Sequence, residues 1–247
     1  PIHIDFVSSY GSPDSYLDLE GLKKFTEWWP SYKGAKFISA DAEYIDGGQD
    51  VEINLVTKSE VGKMSKRYYN VVNPDDMVEK YGADCFRMYE MFLGPIEQSK
   101  PWDTNGIDGV SKFLRKFWAL FYTDEKLIVN DDAPKPEALK ILHQTIKKVS
   151  DDIEKFSFNT SVSAFMVCVN ELRSQKCHSR SILTPLVQTL APFAPFISEE
   201  LWSKLGNEGS VHHSAYPKFE EQFIKEDSIE YPISVNGKKR DAIQIPS

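Results

Sequence analysis

Blocks of apolar residues stepping by three and four between Val110 and Leu205 require this chain to pack helix on helix. Val110, Phe113, Leu114, Phe117, Trp118 and Phe121 form the first stripe, with Lys112, Arg115 and Lys116 projecting from the other side. Leu139, Leu142, Ile146, Val149, Ile153 and Phe156 form the second. Val162, Phe165, Met166, Val169 and Leu172 form the third, capped by Asn159 or Thr160, and Ile182, Leu183, Leu186, Val187 and Leu190 form the fourth. Pro192 and Pro195 interrupt the run, after which Ile197, Leu201, Trp202 and Leu205 make a short helix stopped by Gly206. Stripes of this kind predict an antiparallel bundle.

The flanks differ. Asn73 is suited to cap a helix with Pro74 at its first position, Asp75 and Asp76 in its first turn and Gly82 at its end. Asp84 then caps a second helix carrying Phe86, Met88, Tyr89 and Phe92, which ends at Leu93-Gly94-Pro95. Residues 1–62 read as mixed and strand-rich: Pro1 to Val7 alternates, as do Val51, Ile53 and Leu55, with a helical spacing of Leu22, Phe25 and Trp29 and a turn at Gly47-Gly48 between them. At the other end Tyr231–Val235, Asn236-Gly237 and Lys238–Ile245 predict a β-hairpin. A lone hairpin is marginal in water, so it is expected to open a further module. The fold class is therefore α+β, mostly α, with strand-rich segments at both ends. The abrupt start at Pro1 suggests a chain cut from a longer one.

An apolar share of 41% in 247 residues is ample for a buried core. No apolar run approaches the ~20 residues that span a bilayer, and no basic-then-hydrophobic leader is visible, so a soluble intracellular protein is expected. Cys85, Cys168 and Cys177 are widely spaced, which favours reduced thiols over a zinc site, and no metal site is predicted. The net charge of −8 counts against a generic nucleic-acid binder and makes any such contact local. Acid concentrates in Asp131-Asp132, Asp151-Asp152 and Glu220–Glu230. Base concentrates in Lys112, Arg115 and Lys116 and in Lys238, Lys239 and Arg240.

One loop carries chemistry. Lys63-Met64-Ser65-Lys66, behind Gly62, sets two ammonium groups three residues apart with a hydroxyl between them, which equips it to grip a polyphosphate. Attack on the α-phosphate of ATP drives charge onto departing pyrophosphate, and mobile lysines closing on it lower the barrier, each contact contributing ~3 kcal/mol. Lys-rich tetrapeptides are also ordinary solvated surface, so the context must decide.

The context is specific. The loop resembles the K-M-S-K-S signature of class I aminoacyl-tRNA synthetases. Asn70 to Arg87 (N-V-V-N-P-D-D-M-V-E-K-Y-G-A-D-C-F-R) resembles the segment downstream of that signature in the leucine, isoleucine and valine enzymes. Met91 to Trp118, Ala191 to Trp202 (A-P-F-A-P-F-I-S-E-E-L-W) and Val235 to Asp241 (V-N-G-K-K-R-D) are similar, in the same order, to the leucyl-tRNA synthetases. The resemblance implies ATP, used with Mg²⁺, as a substrate, with Lys63, Met64, Ser65 and Lys66 on its phosphates and Lys63 and Lys66 catalytic. It implies leucine and tRNA(Leu) as partners, and a cytoplasmic, monomeric parent enzyme. Residues 1–62 would be the end of the catalytic domain with an insertion, and 63–105 the loop with connecting helices. Residues 106–217 would be a helical anticodon-binding-type bundle that holds the tRNA body, and 218–247 a linker and the start of a C-terminal domain. Arg67 stands where the family has serine, either adding a phosphate contact or facing solvent.

No H-I-G-H-like element, leucine-binding half or editing domain is found, so these residues alone are expected to activate no leucine; ATP–pyrophosphate exchange by them would refute this. Lys112, Arg115 and Lys116 either touch tRNA phosphates or form a solvated face. Trp102 and Trp118 are expected in the core rather than stacked on bases. His212-His213 reads as a polar loop, and Asp84 with Arg87 as a local pair or cap. Two alternatives remain: a non-catalytic tRNA-binding module descended from a synthetase, and a valyl or isoleucyl relative.

Overall fold

A computed structural model describes all residues except 1, 10–13, 39–42, 46–53, 59–61, 67–69, 104–105, 225–227, 236–237 and 247. The chain divides into two compact units, Pro1–Asn73 and Pro74–Ser247.

In the first unit β1 (Tyr16–Asp18) leads directly into α1 (Leu19–Trp28), followed by β2 (Lys36–Ile38), β3 (Glu43–Ile45) and β4 (Asn54–Val56). β1 pairs antiparallel with β4, Leu17 opposite Leu55, and β2 with β3, Phe37 opposite Tyr44. Leu17, Leu22, Tyr44 and Leu55 form a small core. Asp18 starts α1 by accepting the Gly21 N–H at 2.7 Å and the Ser8 hydroxyl at 2.7 Å; the Gly21 bond, then the Ser8 bond, hold its carboxyl below the usual range. Only glycine fits at position 21, since a Cβ would lie 2.1 Å from the Phe6 carbonyl. The expected helix at Leu22, Phe25 and Trp29 is present. The expected strand at Pro1–Val7 is not, because Ile4–Phe6 forms a 3₁₀ turn. Val51, Ile53 and Gly47-Gly48 lie outside the described residues.

The second unit holds α2 (Pro74–Tyr81), α3 (Ala83–Phe92), α4 (Ile107–Trp118), β5 (Tyr122–Thr123), β6 (Lys126–Leu127), α5 (Pro136–Glu154), α6 (Phe158–Ser174), α7 (Arg180–Leu190), α8 (Pro195–Lys204), α9 (Glu221–Ile224), β7 (Ser228–Val235) and β8 (Lys238–Pro246). Its core runs from Cys85 through Phe113, Phe117, Leu142, Phe165 and Leu186 to Trp202, so the four predicted stripes meet one another as expected. Gly82 ends α2 with φ 88°, a conformation that L side chains rarely adopt. β7 and β8 pair antiparallel, as the hairpin pattern predicts, with a register shift between Ile233 and Ser234. Among the described residues no helix is long and apolar enough to cross a membrane.

Several expectations are corrected. Trp118 is 36% exposed, because a tight turn after α4 places Leu120 and Phe121 inside and leaves the indole stacked on Tyr122, centroids 4.8 Å apart. Trp102 does pack against the core, against Tyr89 and Phe86. Phe156 is 60% exposed: α5 ends before it, and its φ of 55° turns the chain into α6. The residue before α6 is Ser157, not Asn159 or Thr160. The Thr160 hydroxyl instead reaches buried Asp152 at 2.7 Å, which also accepts from Lys148 and ties the α5–α6 turn together. Asp84 and Arg87 form neither a pair nor a local cap. The Asp84 carboxylate accepts the Phe196 and Ile197 N–H groups at 3.1 and 2.7 Å, and Arg87 donates to the Pro192 carbonyl at 3.2 Å.

Candidate functional site

Residues 62–65 adopt no regular structure, so nothing in a helix or strand ladder fixes this backbone. Lys63, Met64 and Lys66 are exposed and Ser65 is half-buried. Among the described residues no carboxylate pairs with Lys63 or Lys66, and both ammonium groups are free to meet an anion. The loop is tied by a residue that motif reading passes over. Asn70 accepts the Ser65 N–H at 2.8 Å and donates to the Lys63 carbonyl at 3.3 Å. Its signal lay in the N-V-V-N-P run just downstream of the loop, where spacing alone does not say which atom an amide would reach. Arg67 lies outside the described residues.

The basic triplet belongs to the other unit. Lys112, Arg115 and Lys116 are all exposed on α4, opposite its buried face of Ile107, Val110, Phe113 and Phe117. The Arg115 guanidinium donates to the Ser111 hydroxyl at 3.1 Å, and Lys116 reaches across to the Asn170 side chain on α6 at 3.0 Å. These are neutral partners, so the positive charge stays uncompensated by any ion pair among the described residues. By contrast, other basic side chains of the bundle pair with acids: Lys147 with Asp151, Lys148 with Asp152, Arg180 with Asp131 and Lys204 with Glu200. Of the two acidic pairs noted in the sequence, Asp131, Asp151 and Asp152 thus hold basic side chains of the bundle.

Other candidates carry no chemistry. His212 and His213 occupy a 3₁₀ turn, and the nearest acid to His212 is Glu199 at 3.9 Å, whose carboxylate already accepts from Ser210 and Val211. No three metal-binding side chains converge among the described residues. Cys85 and Cys168 are buried thiols, pushed by burial up to about 11 and about 12, far from the thiolate that reacts or binds metal. An apolar cleft of about 530 Å³ between α3, the α5–α6 turn and Pro192-Phe193 has Arg87, Glu90 and Lys100 in its lining, with no serine, cysteine or histidine among the residues that line it.

Comparison with known proteins bears on the loop and on the bundle from α5 onward, and the basic triplet lies between the two matched stretches. The profile of tRNA synthetases class I (I, L, M and V) matches residues 50–102, which include the loop. The profile of the anticodon-binding domain of tRNA ligase matches residues 136–247. The leucine–tRNA ligase of Christiangramia forsetii is 54% identical over 245 residues, 99% of this chain. That of Bacteroides thetaiotaomicron is 56% identical over 244 residues, 97% of this chain. Each match covers 24% of the relative, so the chain spans about a quarter of the length of these curated relatives. Among solved structures, the agnB2 LeuRS of Agrobacterium radiobacter K84, crystallised as a ternary complex with tRNA and LeuAMS, superposes with a TM-score of 0.61 at 29% identity. That likeness covers 74% of this chain and 26% of the other. With one synthetase profile over its loop, the other over its bundle from α5 onward, and leucine–tRNA ligases matching nearly its whole length, the chain belongs to the class I tRNA synthetases and is similar to a segment of the leucine–tRNA ligases.

Proposed function

We propose that this segment works within a leucine–tRNA ligase, where Lys63 and Lys66 hold the phosphates of ATP and the helical bundle holds the tRNA. The leucine carboxylate attacks the α-phosphorus, the bond to the β-phosphate oxygen breaks, and pyrophosphate leaves with the charge. The 2′-hydroxyl of the tRNA end then attacks the leucyl carbonyl and releases AMP. Met64 and Ser65 complete the phosphate loop, Ser65 as a further hydroxyl contact. Mg²⁺ fits as a companion of the ATP phosphates, since no carboxylate set among the described residues would hold it. Lys112, Arg115 and Lys116 are the face offered to tRNA phosphates. We read residues 1–62 as the end of the catalytic domain, 63–105 as the loop and its connecting helices, 106–217 as the tRNA-holding bundle and 218–247 as the start of a C-terminal domain. The parent is read as a cytoplasmic monomer.

The observation that carries this reading is the pair of exposed lysines, unmatched by acid among the described residues, in a loop that a class I synthetase profile spans. Lysines built for the fold pair with acids, as Lys147 and Lys148 do. Nothing favours a valyl or isoleucyl relative, since the relatives at 54% and 56% identity are leucine–tRNA ligases. A purely tRNA-binding module would leave the two lysines without a task. In the full-length enzyme, Lys63→Ala and Lys66→Ala should each slow ATP–pyrophosphate exchange by about 10²-fold while the KM for leucine stays constant. Exchange at the unmodified rate in both variants would overturn the assignment.

A further inference from the structure

The structure assigns Asn70 a positioning role: its carboxamide holds the Lys63–Lys66 loop in the shape from which both lysines reach a polyphosphate. This rests on the phosphate-binding reading of the loop. The geometry is particular. One planar group engages the backbone on both sides of Met64, accepting from Ser65 N–H at 2.8 Å and donating to Lys63 C=O at 3.3 Å. The bonds run to backbone atoms and leave the ammonium groups of Lys63 and Lys66 untouched and exposed. Asn70 therefore bridges back to the backbone at Lys63 and Ser65, in a stretch where residues 62–65 have no helix or strand to hold them.

A mobile loop that must converge on a leaving group loses conformational freedom in doing so, and this opposes catalysis. A side chain that restricts the loop beforehand lowers that cost at the step where pyrophosphate departs. It does nothing for the second step, in which the leaving group is AMP. The role thus predicts an effect confined to one of two reactions at the same site, which general destabilisation would not produce.

The test uses the full-length enzyme. Asn70→Ala should lower the kcat of ATP–pyrophosphate exchange about tenfold, the loss expected for two neutral hydrogen bonds, and raise the KM for ATP. The KM for leucine, and the rate of transfer from synthetic leucyl-adenylate to tRNA, should not change. The isosteric Asn70→Asp, which turns an oxygen toward the Lys63 carbonyl in place of a donor, should slow exchange and spare transfer in the same way. In a Lys63→Ala/Lys66→Ala background, Asn70→Ala should have no further effect, since it acts through those side chains. Equal slowing of exchange and transfer, or an additive loss in the lysine-free background, would overturn the role. If the lysine variants slow exchange and neither Asn70 variant does, this inference alone fails. If the lysine variants leave exchange intact, the phosphate reading fails first.

Discussion

At Asp84 a single carboxylate receives two N–H groups from the first turn of α8, 112 and 113 residues further along the chain. Ala194, the residue at the N-cap of α8, has no side-chain oxygen to offer, so the helix borrows its cap from α3. The acid also sits at the positive end of the α8 dipole. Asp84 is only 8% exposed, so water cannot replace it. Replacing it with alanine would strand both donors, at a cost of about 1–3 kcal/mol of stability, read as a lower urea midpoint of the chain. Asp84→Asn, which keeps one acceptor, should lose less. Equal stability of Asp84→Ala and the unmodified chain would show that the borrowed cap contributes nothing. The spacing after Gly82 suggested a local cap, and a local reading has no access to a partner in α8.

Among elements, α5 does more than supply a stripe. His143 on this helix is buried, accepts the Glu220 N–H at 3.0 Å through Nδ1, and stacks on Phe223 of α9 with centroids 4.7 Å apart. Lys147, one turn along, lies 5.2 Å over the Phe219 ring. Together they dock residues 219–224, the approach to the β7–β8 hairpin, on the bundle. The ring must be neutral at Nδ1 to accept. Burial lowers its pKa below 6.5, and the Glu220 carboxylate raises it by less. A depressed histidine pKa means that this contribution is full above about pH 6.5 and is lost as pH falls from there through the folded-state value. Protection of the 221–224 amides against exchange, relative to their intrinsic rates at each pH, should fall over that range. His143→Gln, with an uncharged acceptor, should abolish the pH dependence; an unchanged pH profile in that variant would place the sensitivity elsewhere. Helix periodicity put His143 on α5 without revealing what it faces, because α9 and its approach have no stripe of their own.

For the whole molecule, a net charge of −8 opposes polyanion binding in general, and the exposed triplet on α4 is the local exception we propose. In titrations of leucine tRNA at several salt concentrations, Lys112→Ala/Arg115→Ala/Lys116→Ala should weaken binding and flatten log K against log salt by about 2–3. An unchanged slope would make the triplet an ordinary solvated face. Lys116 is already hydrogen-bonded to Asn170, so its contribution to the slope should be the smallest.

The helices of the bundle, their order and the loop with its two lysines were legible in the linear chain, because apolar periodicity and a tetrapeptide are local patterns whose meaning survives without neighbours. Asn70, Asp84 and His143 were legible as residues but not as contacts. Their partners depend on how separate segments close on one another, and hydrogen bonding leaves no period in a sequence. Trp118 and Phe156 mark the same boundary from the other side. Both continue a stripe in the linear pattern, yet where a helix ends the phase ends with it, and the turn beyond it chooses which ring goes inside.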